Sequence, residues 1–587
     1  MNDKINIFPH PWPLSMNLPA RAGTRRSLLP PGQGNTCSGA EGLGRAKRGG
    51  RRREETPCSG LQFATRAPWR LSRRARGTNP RPPGQGHTCS GAEGGAQRRV
   101  RKVFDVTFTL NSFLFLLIIL SGLAHAQVPP QVAQSQLPPP VAQALARAGI
   151  AEASVGIYVH EIGAAEPVVA HRAEQPLNPA SVMKLVTTYA GLELLGPAYQ
   201  WSTDIYTDGV MQQDVLAGNL IIKGGGDPKL TIETFWLLLR ALRAKGVREI
   251  RGDLVLDRTL FTTDHPDPGR FDNDPTQPYN TTPDALLTNF KNFTLIFTPE
   301  PETKGVRITV DPPLPQLQII NNLTLTEGAC GAWINRIKVQ THDTGDTARL
   351  SFIGPYSRHC GEQANYFSVL GHRAYVAGLF QMLWRDLGGT FTGRVRDGEV
   401  PANAAKLASQ RSLALSEIVR DINKFSNNVM ARQLLLTIGV TAGAAGGTQA
   451  TPERGAQAVQ QFFASKGLQM PQLVIENGSG LSRVERVSAR DLGQMLLTAY
   501  RSPVMPEFIA SMPLVGVDGT MYRRLTNTPV VGQAHIKTGL LSGARALAGY
   551  VLDAKGRRVA VVMLINHANS HNANAVQDAL LRWVHGR

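Results

Sequence analysis

From about Thr203 to Val400 the apolar residues stop recurring at helical spacing and fall into short, strand-like runs. Asn219–Lys223, Arg307–Val310, Gln318–Ile320, Ile337–Val339 and Arg349–Phe352 are examples, and Gly224-Gly225-Gly226-Asp227-Pro228 breaks the chain sharply. The flanks behave differently. Upstream, Val141–Ala148 reads as a short helix, Ser154–His160 as a strand and Pro167–His171 as its hairpin partner. Asn178-Pro179 then opens a helix in which Leu185, Val186, Tyr189, Leu192 and Leu195 recur at helical spacing, and Gly196-Pro197 ends it. Downstream, helices are expected over Leu413–Ile438 and Thr451–Lys466. Ala534–Thr538, Ala546–Leu552 and Val559–Asn566 read as consecutive antiparallel strands with a turn at Asp553–Gly556, and a last helix covers Asn574–His585. The pattern is that of an α+β protein with a large β-rich insert of about two small domains.

The chain has 587 residues and a formal charge of +19, which by itself points to nucleic acid. The charge is not evenly spread. Residues 1–126 hold 20 Lys and Arg against 6 Asp and Glu, and the rest holds 43 against 38. The basicity therefore belongs to a leader, and no nucleic-acid partner is expected for the body. Residues 1–100 are rich in Arg, Gly and Pro and contain a near-repeat, Pro30–Gly42 and Pro82–Gly94. They read either as a basic disordered arm or as upstream sequence translated from a mis-assigned start. The second reading is preferred because an N-terminal signal follows. Over residues 101–126, with Arg98 and Arg99 just before, a basic cluster at Arg101 and Lys102 precedes an apolar run from about Val106 to Leu123 and then Ala124-His125-Ala126. These are the parts of a secretory signal peptide cleaved after Ala126, which predicts an exported, periplasmic protein. If the segment is retained, its length suits a membrane anchor; peripheral membrane association stays open.

Cys37, Cys58 and Cys89 lie in the leader, leaving Cys330 and Cys360 in the body. In an oxidising compartment these two are expected to form one disulfide; the alternative is two free thiols. No Cys or His cluster suggests a metal site, and no cofactor is expected.

Three short motifs carry chemistry. In Ser181-Val182-Met183-Lys184, hydroxyl and amine stand at i and i+3 of a buried helix and so share a face. Burial disfavours the lysine's charge, and a neutral lysine is a base able to activate serine. Ser426-Asn427-Asn428 offers a hydroxyl and a carboxamide that could relay a proton and hold that base. Lys537-Thr538-Gly539 begins on a strand: Lys537 and Thr538 suit an anionic group, and Gly539 allows close approach of a substrate backbone.

The set S-x-x-K, S-[DN]-N, K-T-G resembles that of serine penicillin-binding proteins and β-lactamases. The chain is most similar to their class C low-molecular-mass members, the penicillin-binding protein 4 type D-alanyl-D-alanine carboxypeptidase/endopeptidases. The 245 residues between Ser181 and Ser426 match that family's inserted domains. Gly218-Asn219-Leu220 with Gly224–Leu230, Asn477–Arg483 and Gly516–Thr520 add to the likeness. The resemblance implies a transpeptidase-like domain, an antiparallel sheet with helices on both sides, from residues 127–205 and 401–587. It implies insert domains at 206–275 with 361–400, and at 276–360. It also implies roles. Ser181 attacks the carbonyl between two D-alanines of a peptidoglycan muropeptide, Lys184 takes its proton, Ser426 relays a proton to the leaving amine, and Asn428 holds Lys184 and the substrate amide. Lys537 and Thr538 bind the terminal carboxylate beside Gly539, and backbone N–H groups of Ser181 and Leu540 bind the oxyanion. Asp274, Tyr279 and Arg483 contact the peptide's diamino acid, Tyr279 standing where the family has phenylalanine. β-Lactam antibiotics are expected to acylate Ser181, with slow release because no loop glutamate of the class A β-lactamase kind is evident. The competing readings are a β-lactamase or esterase on the same scaffold and a non-catalytic peptidoglycan-binding protein.

Overall fold

The computed structural model describes residues 136–262, 267–300, 302–442 and 449–587. The leader repeat, its three cysteines and the signal segment lie outside the described residues. No helix among the described residues is long and apolar enough to cross a membrane.

The two ends of the chain build one five-stranded antiparallel sheet. Its strands are β1 (Val155–Glu161), β2 (Val169–His171), β3 (Ala534–Leu541), β4 (Ala544–Leu552) and β5 (Arg558–Asn566), in the order β3-β4-β5-β1-β2. Tyr158 stands opposite Val562, and Lys537 opposite Ala548. The inner strands are covered on both faces, so they read as apolar runs rather than alternations. On one face Ile157, Val159, Leu547, Val561 and Met563 pack under α1 (Pro139–Ala148) and the C-terminal helix. On the other, Tyr158, Ala546, Ala548, Tyr550 and Leu564 join a helical cluster centred on α2 (Met183–Leu195). Every residue of α2 from Met183 to Leu192 is buried, which explains why its sequence is apolar on all sides. The architecture is the α+β arrangement of a sheet between helices that the motifs imply.

One helix expected from the sequence is two. Leu413–Ile438 divides into α3 (Leu415–Lys424) and α4 (Asn428–Ala442). The Asn427 side chain accepts a hydrogen bond from Met430 N at 3.1 Å, starting α4 afresh, and Ser426 sits in the gap at φ +57°. Further helices are α5 (Pro452–Ser465), α6 (Ala489–Tyr500), with a short helix at Met505–Ser511, and α7 (Asn574–His585).

The segment 202–411 holds the expected strands and, in addition, two helices that the strand-like reading passed over, Ile232–Ala244 and His372–Asp386. One sheet runs Val395–Asp397, Leu254–Asp257, Leu220–Lys223, Ser202–Thr207, Ala405–Arg411; a four-stranded sheet and two three-stranded sheets complete the segment. Their apolar faces share one cluster, with Leu256, Phe297, Phe352, Phe380 and Trp384 among its buried residues. Cys330 and Cys360 are joined by a disulfide, Cα atoms 4.7 Å apart.

Candidate active site

The site begins at a strained turn. Ala180 has φ +46°, and the Asn178 carboxamide oxygen accepts its N–H at 2.9 Å. Asn178 is tied in turn to Asn566 on β5 and to the Ser482 carbonyl. A single 3-10 turn, Ala180–Val182, then feeds α2, which places Ser181 at its mouth and Lys184 one turn inside. Two glycines make room for this turn. A Cβ on Gly539 would lie 2.6 Å from the Pro179 carbonyl oxygen and 3.1 Å from Ser181 N, and one on Gly480 would strike the Ala180 carbonyl. The close approach that Gly539 permits is therefore to the chain's own turn carrying Ser181, and not, as the sequence implies, to a substrate backbone.

Lys184 is wholly enclosed. Its Nζ lies 3.1 Å from Ser181 Oγ, and it donates to Asn428 Oδ1 at 2.6 Å and to the Ser479 carbonyl at 2.5 Å. None of these partners is a carboxylate. Burial, reinforced by the charges of Lys537 and Arg432 and opposed by Glu485, holds its pKa well below the usual lysine value.

Lys537 is also fully buried, and burial pushes its pKa down to about 7. It donates to Ser426 Oγ at 2.9 Å and to the Thr538 carbonyl at 2.7 Å. Its amine thus stands behind Ser426 and is less open than an anion clamp read from the sequence alone. Thr538 is partly exposed, and its hydroxyl is 2.9 Å from that of Thr520. Lys424, two residues before Ser426, pairs with Asp518 at 2.6 Å and so links the Ser426 turn to the loop carrying Thr520.

Asn428 also donates from Nδ2 to the Tyr279 carbonyl at 3.2 Å, so a loop of the insert reaches the motif residues. That loop's Asp274 accepts from Thr276 and Gln277, and the Tyr279 hydroxyl donates to Asp272 at 2.7 Å. Arg483 lies 4.4 Å above the Phe271 ring and donates to the Ser542 carbonyl. Phe271 and Leu481 pack against Ala180, and both line a cavity of about 590 Å³ together with Arg432 and Arg483. Ser181, Lys184, Ser426, Asn428, Lys537 and Gly539 therefore come together. Leu540 follows Gly539 on β3; the Asp274 carboxylate and the Tyr279 hydroxyl bond to residues of their own loop, and Tyr279 meets the motif residues through its carbonyl on Asn428. The sequence reading assigned no role to Ser479, Glu485, Asp518 or Thr520.

A serine whose hydroxyl faces a desolvated, carboxylate-free lysine, backed by a second serine and a second buried lysine, defines a serine–lysine acyl-transfer enzyme. Comparison with known proteins narrows the class. Residues 138–586 match the D-Ala-D-Ala carboxypeptidase 3 (S13) family, and the chain belongs to it. It is a serine-type D-alanyl-D-alanine carboxypeptidase. Its relatives include the D-alanyl-D-alanine carboxypeptidase DacB of Haemophilus influenzae, 27% identical over 70% of this chain and 85% of that protein. A D-alanyl-D-alanine carboxypeptidase of an Actinomadura species is 29% identical over 72% and 80%. The crystal structure of penicillin binding protein 4 from H. influenzae superposes with a TM-score of 0.65 at 25% identity, covering 76% of this chain and 99% of that one. The same protein has been solved in complex with a β-lactam.

Proposed function

We propose that Ser181 is the nucleophile and Lys184 the base that cleaves D-alanyl-D-alanine ends, or cross-links of the same chemistry, in peptidoglycan peptides. One observation carries this reading. A neutral lysine amine has two N–H groups and one lone pair. Asn428 Oδ1 and the Ser479 carbonyl accept the two N–H groups, which leaves the lone pair for the Ser181 hydroxyl proton. As that proton passes to Nζ, Oγ bonds to the carbonyl carbon. The negative charge on the carbonyl oxygen is met by backbone N–H groups of Ser181 and Leu540, donors of a kind that contribute a few kcal/mol to a transition state (~3). Collapse breaks the C–N bond. Ser426 hands its proton to the departing D-alanine amine and takes one from the Lys537 ammonium that donates to it; water then hydrolyses the ester, its hydroxyl joining the acyl carbon, its proton restoring Lys537 through Ser426, and Ser181 Oγ recovering the proton held by Lys184. Thr538 and the charge of Lys537 behind Ser426 suit the terminal carboxylate.

A β-lactam offers an amide carbonyl placed beside a carboxylate as in the peptide, and strained besides, so it is expected to acylate Ser181, as suits a relative crystallised with one. Export with cleavage after Ala126 fits a substrate outside the cytoplasm and rests on the basic cluster, apolar run and Ala-x-Ala of residues 101–126. The reading is tested with a fluorescent penicillin and purified muropeptides. Wild type should be labelled and should release D-alanine, and Ser181→Ala should do neither. Labelling of Ser181→Ala at the wild-type rate would contradict it. Rapid penicillin turnover with inert muropeptides would favour a β-lactamase.

A further inference from the structure

The Ser479 carbonyl that receives one Lys184 N–H belongs to a turn with no regular structure of its own. Two side chains hold it: Asn477 Oδ1 accepts from Ser479 N at 2.9 Å and from Ser479 Oγ at 2.6 Å, and Glu485 gathers the residues just before. Glu485 is fully buried, and its Oε1 accepts three successive backbone N–H groups, Glu476 at 3.2 Å, Asn477 at 3.0 Å and Gly478 at 3.0 Å. The turn so gathered is tied to α2 on its other side, where Thr187 Oγ1 donates to the Gly478 carbonyl at 2.7 Å. Gly478 and Gly480 adopt φ +71° and +81° to complete it. The next carbonyl along, Ser479, faces Lys184.

Glu485 is also an electrostatic outlier. Lys537 and Arg432 act on Lys184 as like charges, and Glu485 is the anion that opposes them. Glu485 itself is pushed up by burial and by Glu476 and pulled down by the three amides, and Arg432 feels both glutamates. Its Oε2 and the Arg432 Nε are buried with no hydrogen-bond partner among the described residues, so the two charges act through space.

We propose that Glu485 is a positioning residue for acylation: its carboxylate clamps residues 476–478, thereby aims the Ser479 carbonyl that orients the Lys184 lone pair, and supplies the counter-charge of the buried cation group. The proposal rests on Lys184 being the base. Position and charge are separable. Glu485→Gln keeps the length and an acceptor oxygen but removes the anion. Glu485→Asp keeps the anion but withdraws it by one methylene. Thr187→Val loosens the same turn from the opposite side without touching the carboxylate.

The readout is the second-order rate of acylation by a fluorescent penicillin across pH, on the full chain, with thermal melts alongside. Acylation needs neutral Lys184, so its rate rises with pH through the lysine pKa. Losing the anion lowers that pKa, so Glu485→Gln should move the acid limb to lower pH by about one unit. Glu485→Asp and Thr187→Val should leave the limb in place and lower the plateau rate about tenfold. If Lys184→Met is inactive while the Glu485 variants keep the wild-type limb and plateau within twofold, the proposal is wrong and the base assignment stands. A rate loss that only follows the folded fraction, with an unmoved limb in Glu485→Gln, also overturns it. If Lys184→Met is labelled as fast as wild type, the base assignment fails and takes the proposal with it.

Discussion

Two regions of this molecule each lower a lysine's pKa by desolvation, and only one of them sets that lysine against a serine hydroxyl. In the insert, Lys291 donates to the Leu370 carbonyl at 2.8 Å, feels the charge of Asp343, and is pushed by burial to about 8. In the cleft, Lys184 faces a hydroxyl, a carboxamide and a carbonyl, and the like charge of a second buried lysine adds to the effect of its burial. A lowered pKa alone does not separate them. The neighbours do: Lys291 finds an anion and a carbonyl, which is what a lysine kept for packing needs, whereas Lys184 finds the hydroxyl proposed as nucleophile. Perturbed titration marks a functional site only when a reacting group stands beside it.

The sharpest way to break this comparison is to remove both amines. Lys184→Met should lower the rate of acylation by penicillin by about a thousandfold, within the usual reach of a general base, whereas Lys291→Met should leave it within about twofold. Equal losses would mean that burial, not the facing hydroxyl, sets the rate. Ser426→Ala should cost about a hundredfold in release of D-alanine from a muropeptide, with a smaller effect on acylation by a β-lactam, since the ring's amine stays tethered. Next comes pH. Lys537 is charged below about 7 and neutral above it. If its charge helps bind the carboxylate, kcat/KM falls as pH rises through that value, and Lys537→Arg, where it folds, should move this alkaline limb upward. The same burial has a stability consequence. Between about 7 and the ordinary lysine pKa the unfolded chain binds the extra proton, so wild type should gain stability against Lys537→Met as pH rises through that window. The smallest effect on function belongs to the insert. Reducing Cys330–Cys360, which closes a loop of 30 residues, should cost about 2–4 kcal/mol in unfolding experiments and leave acylation unchanged.

The two regions also differ in how far the sequence revealed them. The sheet strands were legible because double-sided burial leaves unbroken apolar runs, as in Val559–Ile565, between clear turns, and α7 because Val576, Leu580, Leu581 and Val584 recur on one buried helix face. The motifs supplied six residues that meet in space. The insert helices were not read, although Phe235, Leu238, Leu239 and Leu242 are spaced as a helix face, because the short strands around them set the expected period. The break at Ser426 was hidden since Asn427 serves as a cap only once the chain is seen to turn there. Glu485 and Ser479 escaped because their work runs through backbone groups, which no side-chain pattern records. Lys537 was read as an anion clamp, and its seclusion comes from its amine turning to Ser426 Oγ, 111 residues away in sequence, and to the Thr538 carbonyl, contacts that no local pattern records.

The central claim is that one hydroxyl, Ser181, carries the acyl group and that Lys184 makes it reactive. Peptide mapping by mass spectrometry after brief exposure to a penicillin tests it most directly. The account predicts a single adduct on the peptide containing Ser181, formed in wild type and nearly absent in Lys184→Met. An adduct on another residue, or one on Ser181 that forms as fast without the Lys184 amine, would contradict it.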